Sequence, residues 1–359
     1  MADSKLKPST PQVVSRAFVL AVVLISVSSY LVSLAVGLVL FFSTADGLHT
    51  ASRVIRGIPL DFFAGAYSPT IPLRTSIGAL FTGIWAVFVI CMFFAWRSRR
   101  GFLTSIRESI SESLSFARTS YLYLMPVIAT ALFASTVLIE EFQATQGVQT
   151  GNLNFPPKTS PYFILINLAF APINEEFAFR MTTIGIPLGI ALVFLYWSDP
   201  KISGIIKKIR LVVVALLSPE RAKVEMGYKN VHSNGLFKGI SVPEWILILV
   251  TSLYFGLAHL LAGGGWEIGK VSTAFLAGFM LAIVYVTYGA YASILLHWYF
   301  NYYFTVLDMA SSTYAGSFQL ISNLIEVGNL VAGSVIVVVF LVVAAVQVSK
   351  HLTSRVAQM

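Results

Sequence analysis

The sequence predicts an all-α polytopic membrane helix bundle with about eight transmembrane helices. Of its 359 residues, 57% are hydrophobic and only 11% charged, against about 25% charged in an ordinary soluble domain. Mean hydropathy is +0.79. The apolar residues also fall into runs that reach the roughly 20 residues needed for a helical crossing. Little polar chain remains from which to build a separate soluble domain.

In order, the spans fall near 17–42, 77–96, 121–139, 161–197, 244–262, 270–288, 290–309 and 325–349. The first follows Lys5, Lys7 and Arg16 and is too long for a signal-peptide core, so it reads as a retained signal anchor. The fourth exceeds one straight crossing and contains Pro172 and Pro187, so it is one broken span or two short ones. Charge chooses between them, because cytoplasmic loops collect Lys and Arg. With one crossing there, segments 1–16, 97–120, 198–243 and 350–359 lie inside and hold 3, 5, 8 and 2 Lys and Arg. The outside segments hold only Arg53, Arg56, Arg74, Lys158 and Lys270. Two crossings would put the eight charges of 198–243 outside. The expected protein therefore sits in the cell membrane with both termini cytoplasmic. Positive loops also account for the net charge of +8, so a nucleic-acid partner is not expected.

Two inside segments are amphipathic. In 102–118, Phe102, Leu103, Ile106, Ile110, Leu114 and Phe116 largely follow helical spacing. In 202–217, Ile202, Ile205 and Ile206 and a Leu-Val-Val-Val-Ala-Leu-Leu run accompany Lys207, Lys208 and Arg210. Each reads either as a helix on the inner leaflet that attracts anionic lipid, or as a surface helix packed on the bundle. The loops 43–76 and 140–160 are rich in Gly, Pro, Ser and Thr and read as irregular. Cys91 is the only cysteine, so no disulfide can form within the chain. Three regions result: N-terminal helices over 1–160, a chemistry-bearing set over 161–309 with a basic insertion at 198–243, and a last helix and tail over 310–359.

The fourth span carries Glu175 and Glu176, and a charge at mid-bilayer costs about 2.5–3.5 kcal/mol on insertion scales. Intramembrane carboxylates are therefore functional candidates. Glu176 and Arg180 are four apart and can pair on one helix face, which leaves Glu175 on a neighbouring face. His259 closes a Phe255-Gly-Leu-Ala-His stretch, and His297 and Asn301 share a face of the seventh span. Gly278, Ala282 and Gly289 before them permit close helix approach. A carboxylate and a histidine can activate water as general base. A histidine with an asparagine can stabilise a developing oxyanion. Alternatively, Glu175, His259 and His297 could ligate a divalent metal such as zinc, although no His-Glu-x-x-His is present.

Glu-Glu-x-x-x-Arg, Phe-x-x-x-His and His-x-x-x-Asn, in this order on separate spans, resemble the CAAX prenyl endopeptidase and bacteriocin-processing (CPBP, or Abi) family of intramembrane proteases. Phe275, Gly278, Tyr285, Thr287, Gly289 and Ile294 lead into the last motif in a similar way. The resemblance covers about 161–305. It implies hydrolysis of a peptide bond in a prenylated or other membrane-associated peptide, with Glu175 and His259 activating water. It also implies that His297 and Asn301 stabilise the oxyanion and that Glu176 and Arg180 order the site. Family members are often described as metalloproteases, and a glutamate-dependent route without a tightly bound metal is the alternative. One departure stands out: Glu175 and His259 lie 84 positions apart, which makes 198–243 an insertion that could gate the site, recruit substrate or decorate the surface. Two other functions fit the chain. One is a non-enzymatic immunity or scaffold protein on the same fold. The other is an ion-coupled transporter, for which repeated interrupted helices are missing.

Overall fold

The computed structural model describes residues 10–111, 118–314 and 316–356. The chain begins with α1 (Thr10–Ser43) and a short α2 (Ala45–Ser52), whose first turn is capped by Thr44 accepting from the Gly47 amide. A narrow antiparallel hairpin follows. Its β1 (Val54–Ile55) pairs with β4 (Thr75–Ser76), and its β2 (Ile58–Pro59) pairs with β3 (Thr70–Ile71). The expected irregular loop 43–76 is thus ordered, because Phe62 and Tyr67 pair near the tip and no sequence alternation was long enough to announce it.

Next come α3 (Ile77–Arg97), α4 (Phe102–Ser111), α5 (Tyr121–Thr145) and α6 (Pro161–Glu176). A π-helix (Phe177–Gly185) continues α6 without interruption into α7 (Ile186–Leu195). The fourth span is therefore one helical path. Pro187 in the first turn of α7 cannot donate a backbone hydrogen bond, and the wider π turns before it absorb that loss. The basic insertion folds as α8 (Ile205–Leu217), α9 (Pro219–Met226) and α10 (Val231–Gly239). Then follow α11 (Val242–Leu261), α12 (Gly269–Tyr288), α13 (Ala290–Trp298), a second π-helix (Tyr299–Tyr303), α14 (Phe304–Tyr314) and α15 (Ser317–Val356). Ser241 and Glu244 cap α11 reciprocally, each side chain bonding the other's backbone amide.

Among the described residues, seven helices are long and apolar enough to cross a membrane. The eighth expected crossing is the path α13–π–α14, whose His, Asn and Tyr side chains lower its hydropathy. It is buried at the centre of the bundle instead. Tyr30 of α1 meets Trp298 and Tyr303 edge-on at 5.7 and 5.2 Å, and the Ser29 and Tyr303 hydroxyls bond at 2.8 Å. Edge-to-face pairs of this kind add to the plain burial of the rings.

The insertion is clamped to one end of the bundle. A Cβ at Gly185 or Gly189 would come within 2.8 or 2.9 Å of backbone atoms of α8, so the two glycines let α8 lie directly on the π-helix and α7. Buried Lys223 bonds Glu244 at 2.9 Å and the Gly239 carbonyl at 3.1 Å, and Arg99 pairs with Glu220 at 3.8 Å. Helix α8 nevertheless leaves Ile205, Ile206 and Ile209 exposed. Of the other amphipathic segment, 102–111 is helical, with Leu103 and Ile110 exposed. Leu114 and Phe116 lie outside the described residues.

Candidate active site

Glu176 and Arg180 form the buried floor. They are 0% and 1% exposed, and the carboxylate Oε1 lies 3.2 Å from the guanidinium. Arg180 also donates to the Gly278 carbonyl at 3.2 Å and stacks over the Phe255 ring at 4.3 Å. A Cβ at Gly278 would sit 3.0 Å from Phe255 and 3.4 Å from Arg180. The absence of a side chain there is what lets α12 approach so closely.

The same Glu176 Oε1 accepts from His297 Nδ1 at 2.9 Å. With its Nδ1 proton committed, His297 presents Nε2, which lies 3.4 Å from Asn301 Nδ2 and 3.6 Å from Glu175 Oε2. The second π-helix surrounds Asn301, and insertions of this kind recur at functional sites. Glu175, one residue from the buried ion pair, is different: its side chain is 30% exposed and borders a cavity. His259 Nδ1 lies 2.8 Å from the Phe255 carbonyl. A carbonyl oxygen only accepts, so Nδ1 carries the proton and Nε2 is the free lone pair.

Two cavities meet at this set. One, of about 500 Å³, is lined by Glu175, His259, Asn301 and Lys270. The other, of about 340 Å³, is lined by His259, His297, Asn301 and Lys270. Glu175, His259, His297 and Asn301, drawn from three separate stretches of sequence, thus line two cavities that have His259, Asn301 and Lys270 in common. Among the described residues, no three His, Cys, Asp or Glu side chains are grouped so as to hold a metal ion. Glu175, His259 and His297 as placed do not form such a group.

The larger cavity is walled by Asp61, Ala64 and Gly65 of the hairpin, and by Leu153 and Trp266. These belong to the loops between α1 and α3, between α5 and α6, and between α11 and α12. The opening therefore lies at the end of the bundle opposite the basic segments. The insertion 198–243 is packed at the far end and does not border the cavity. Residues 157–303 match the family model described as type II CAAX prenyl endopeptidase Rce1-like. All three motifs fall inside that match, so the resemblance read from them holds for this part of the chain. At the family level the match supports an intramembrane protease of the CAAX type, and the chain is an integral membrane protein. No curated protein and no solved structure matches it.

Within and around the Rce1-like segment, three features escaped sequence reasoning. Phe255 is a hub: its ring lies 4.8 Å from that of His259 and 5.9 Å from that of His297. Asn174 fastens the hairpin beside Glu175, accepting from the Asp61 amide at 2.9 Å and donating to the Asp61 carboxylate at 2.7 Å. Lys270 stands at both cavities with its ammonium 4.1 Å from the Trp266 ring. An Asn next to two glutamates and a Lys at the head of a span were visible signals. The hairpin contact was not, because it joins residues 113 apart.

Proposed function

We propose that the chain is an intramembrane endopeptidase that cleaves a membrane-associated peptide, prenylated or otherwise, with a water activated by Glu175 and His259. The observation that carries this reading is that the partly exposed Glu175 lines one cavity and His297 a second, that His259 and Asn301 line both, and that Glu176 and Arg180 remain buried beneath. Glu175 or His259 takes a proton from water as the oxygen attacks the scissile carbonyl. The resulting oxyanion accepts from Asn301 Nδ2, and from His297 Nε2 when that ring carries its second proton. Collapse breaks the C–N bond, and the proton first taken from water passes to the leaving amine. Preorganised donors of this sort each contribute about 10²–10³-fold in rate, and general acid–base groups about 10²–10⁴-fold.

Glu176 acts on His297 by fixing its tautomer, and Arg180 balances the buried charge. The test is comparative proteomics of membrane peptides in cells carrying the wild type or Glu175→Ala, followed by cleavage of the identified peptide by purified protein. Loss of cleavage in Glu175→Ala and His259→Ala with normal insertion is expected. Equal turnover in all three proteins would return the chain to a non-enzymatic or transport role. Chelator treatment leaves turnover unchanged on this reading. Its abolition by chelator, with recovery on adding zinc, would make the metal route the correct one.

A further inference from the structure

We propose that the catalytic chamber opens on the extracytoplasmic face of the membrane, so that its substrates are peptide segments presented at the outer leaflet. The proposal rests on the hydrolytic reading for the word substrate, but its geometry stands apart from it. Every segment around the opening comes from one end of the bundle. The hairpin reaches down into the wall there, with the Ala64 amide donating to the Ala178 carbonyl at 3.0 Å and the Phe63 amide to Thr182 at 2.8 Å. Irregular backbone at such depth is tolerated where it is covered by protein or lines a wet cavity, and both conditions hold.

The other end is closed. Tyr288 bonds the Thr119 carbonyl at 3.2 Å, Tyr285 bonds the Leu216 carbonyl at 2.7 Å, and a Cβ at Gly289 would meet the Leu217 carbonyl at 2.7 Å. This sealed end carries the positive charge. Segments 97–120 and 198–243 alone hold 13 Lys and Arg, against Arg53, Arg56, Arg74, Lys158 and Lys270 at the open end. Arg16 joins the sealed end through the Ile110 carbonyl. Short loops with such an excess stay on the cytoplasmic side. The open end, with the Glu175 cavity behind it, must then face outward.

Thiol labelling reads the sidedness directly. The only cysteine, Cys91, is buried, so the unmodified protein is the blank. Gln146→Cys lies in an exposed loop at the open end, Ala66→Cys at the exposed hairpin tip and Lys207→Cys on the exposed face of α8. A membrane-impermeant maleimide should label Gln146→Cys and Ala66→Cys in intact cells, and Lys207→Cys only after permeabilisation. The reverse pattern, or labelling of all three in intact cells, overturns the proposal. Trypsin added to intact cells gives a second measurement that needs no substitution. Cuts at Arg53 or Arg56 with 198–243 spared are expected, and cuts at Lys207 or Arg210 with the hairpin spared overturn it. Neither result depends on turnover. Outward labelling combined with a fully active Glu175→Ala would end the hydrolytic reading and leave the orientation standing.

Discussion

Arg180 is the side chain on which the floor of the site depends. Among the described residues it is the only cation in contact with Glu176 apart from a protonated His297, and both partners are buried. Removing one member of such a pair typically costs about 3–5 kcal/mol, because the other charge stays in a dry interior. Arg180→Met should therefore lower the unfolding midpoint in detergent sharply, and Glu176→Gln on top of it should recover part of the loss. Asn301→Ala belongs to the other class. It should unfold like the wild type while its kcat falls about 10²–10³-fold, as measured on the peptide found by proteomics. The pairing of Glu176 with Arg180 was legible because a spacing of four fixes a shared helix face. The Glu176–His297 bond was not, because nothing local says which of two adjacent carboxylates turns inward. The structure resolves this by giving the inner one two partners, so that Glu175 keeps its contact with water.

At the scale of elements, the motif helices were readable from apolar runs and their interruptions, and the insertion from its charge. The two π-helices were not, since their sequences do not differ in kind from the α-helices around them. Nor was the hairpin, whose hold on α6 comes from one Asp and one Asn. Breaking that hold is a direct test of its part in binding. Asn174→Ala leaves the Asp61 amide without its acceptor and the Asp61 carboxylate with the Ser68 hydroxyl as its remaining donor, at a cost of about 1–3 kcal/mol. It should raise KM more than it lowers kcat if the hairpin mainly forms the wall against which a peptide lies. Gly278→Leu should fail more broadly, because Phe255 and Arg180 occupy the space and both rigid neighbours would have to move.

For the whole molecule, the fold class was legible in the apolar runs, because hydropathy reports the lipid-facing residues. The sequence was least informative about the central path α13–π–α14, which touches little lipid and so is under no demand to be uniformly apolar. Access was not legible for a related reason: charge counts orient loops, but only packing shows which set of loops covers a cavity and which leaves it open. The exposed apolar row on α8 is of the kind that lies along a membrane surface. Vesicles with anionic headgroups should bind a Lys207→Gln/Lys208→Gln/Arg210→Gln variant less tightly than the wild type at low salt, a difference that high salt removes.

The last helix carries a consequence for the setting in which the protein works. Phe318–Ser349 is an apolar stretch of 32 residues with little of it packed inside the bundle, whereas about 20 suffice to cross the hydrocarbon core. The surplus must be taken up by tilt or by local thickening of the lipid. Helix α15 supplies Glu326 to the rim of the smaller cavity, so its inclination bears on the width of that rim. Acyl-chain length becomes a variable of the reaction: turnover in bilayers of graded thickness should peak where α15 stands closest to the membrane normal.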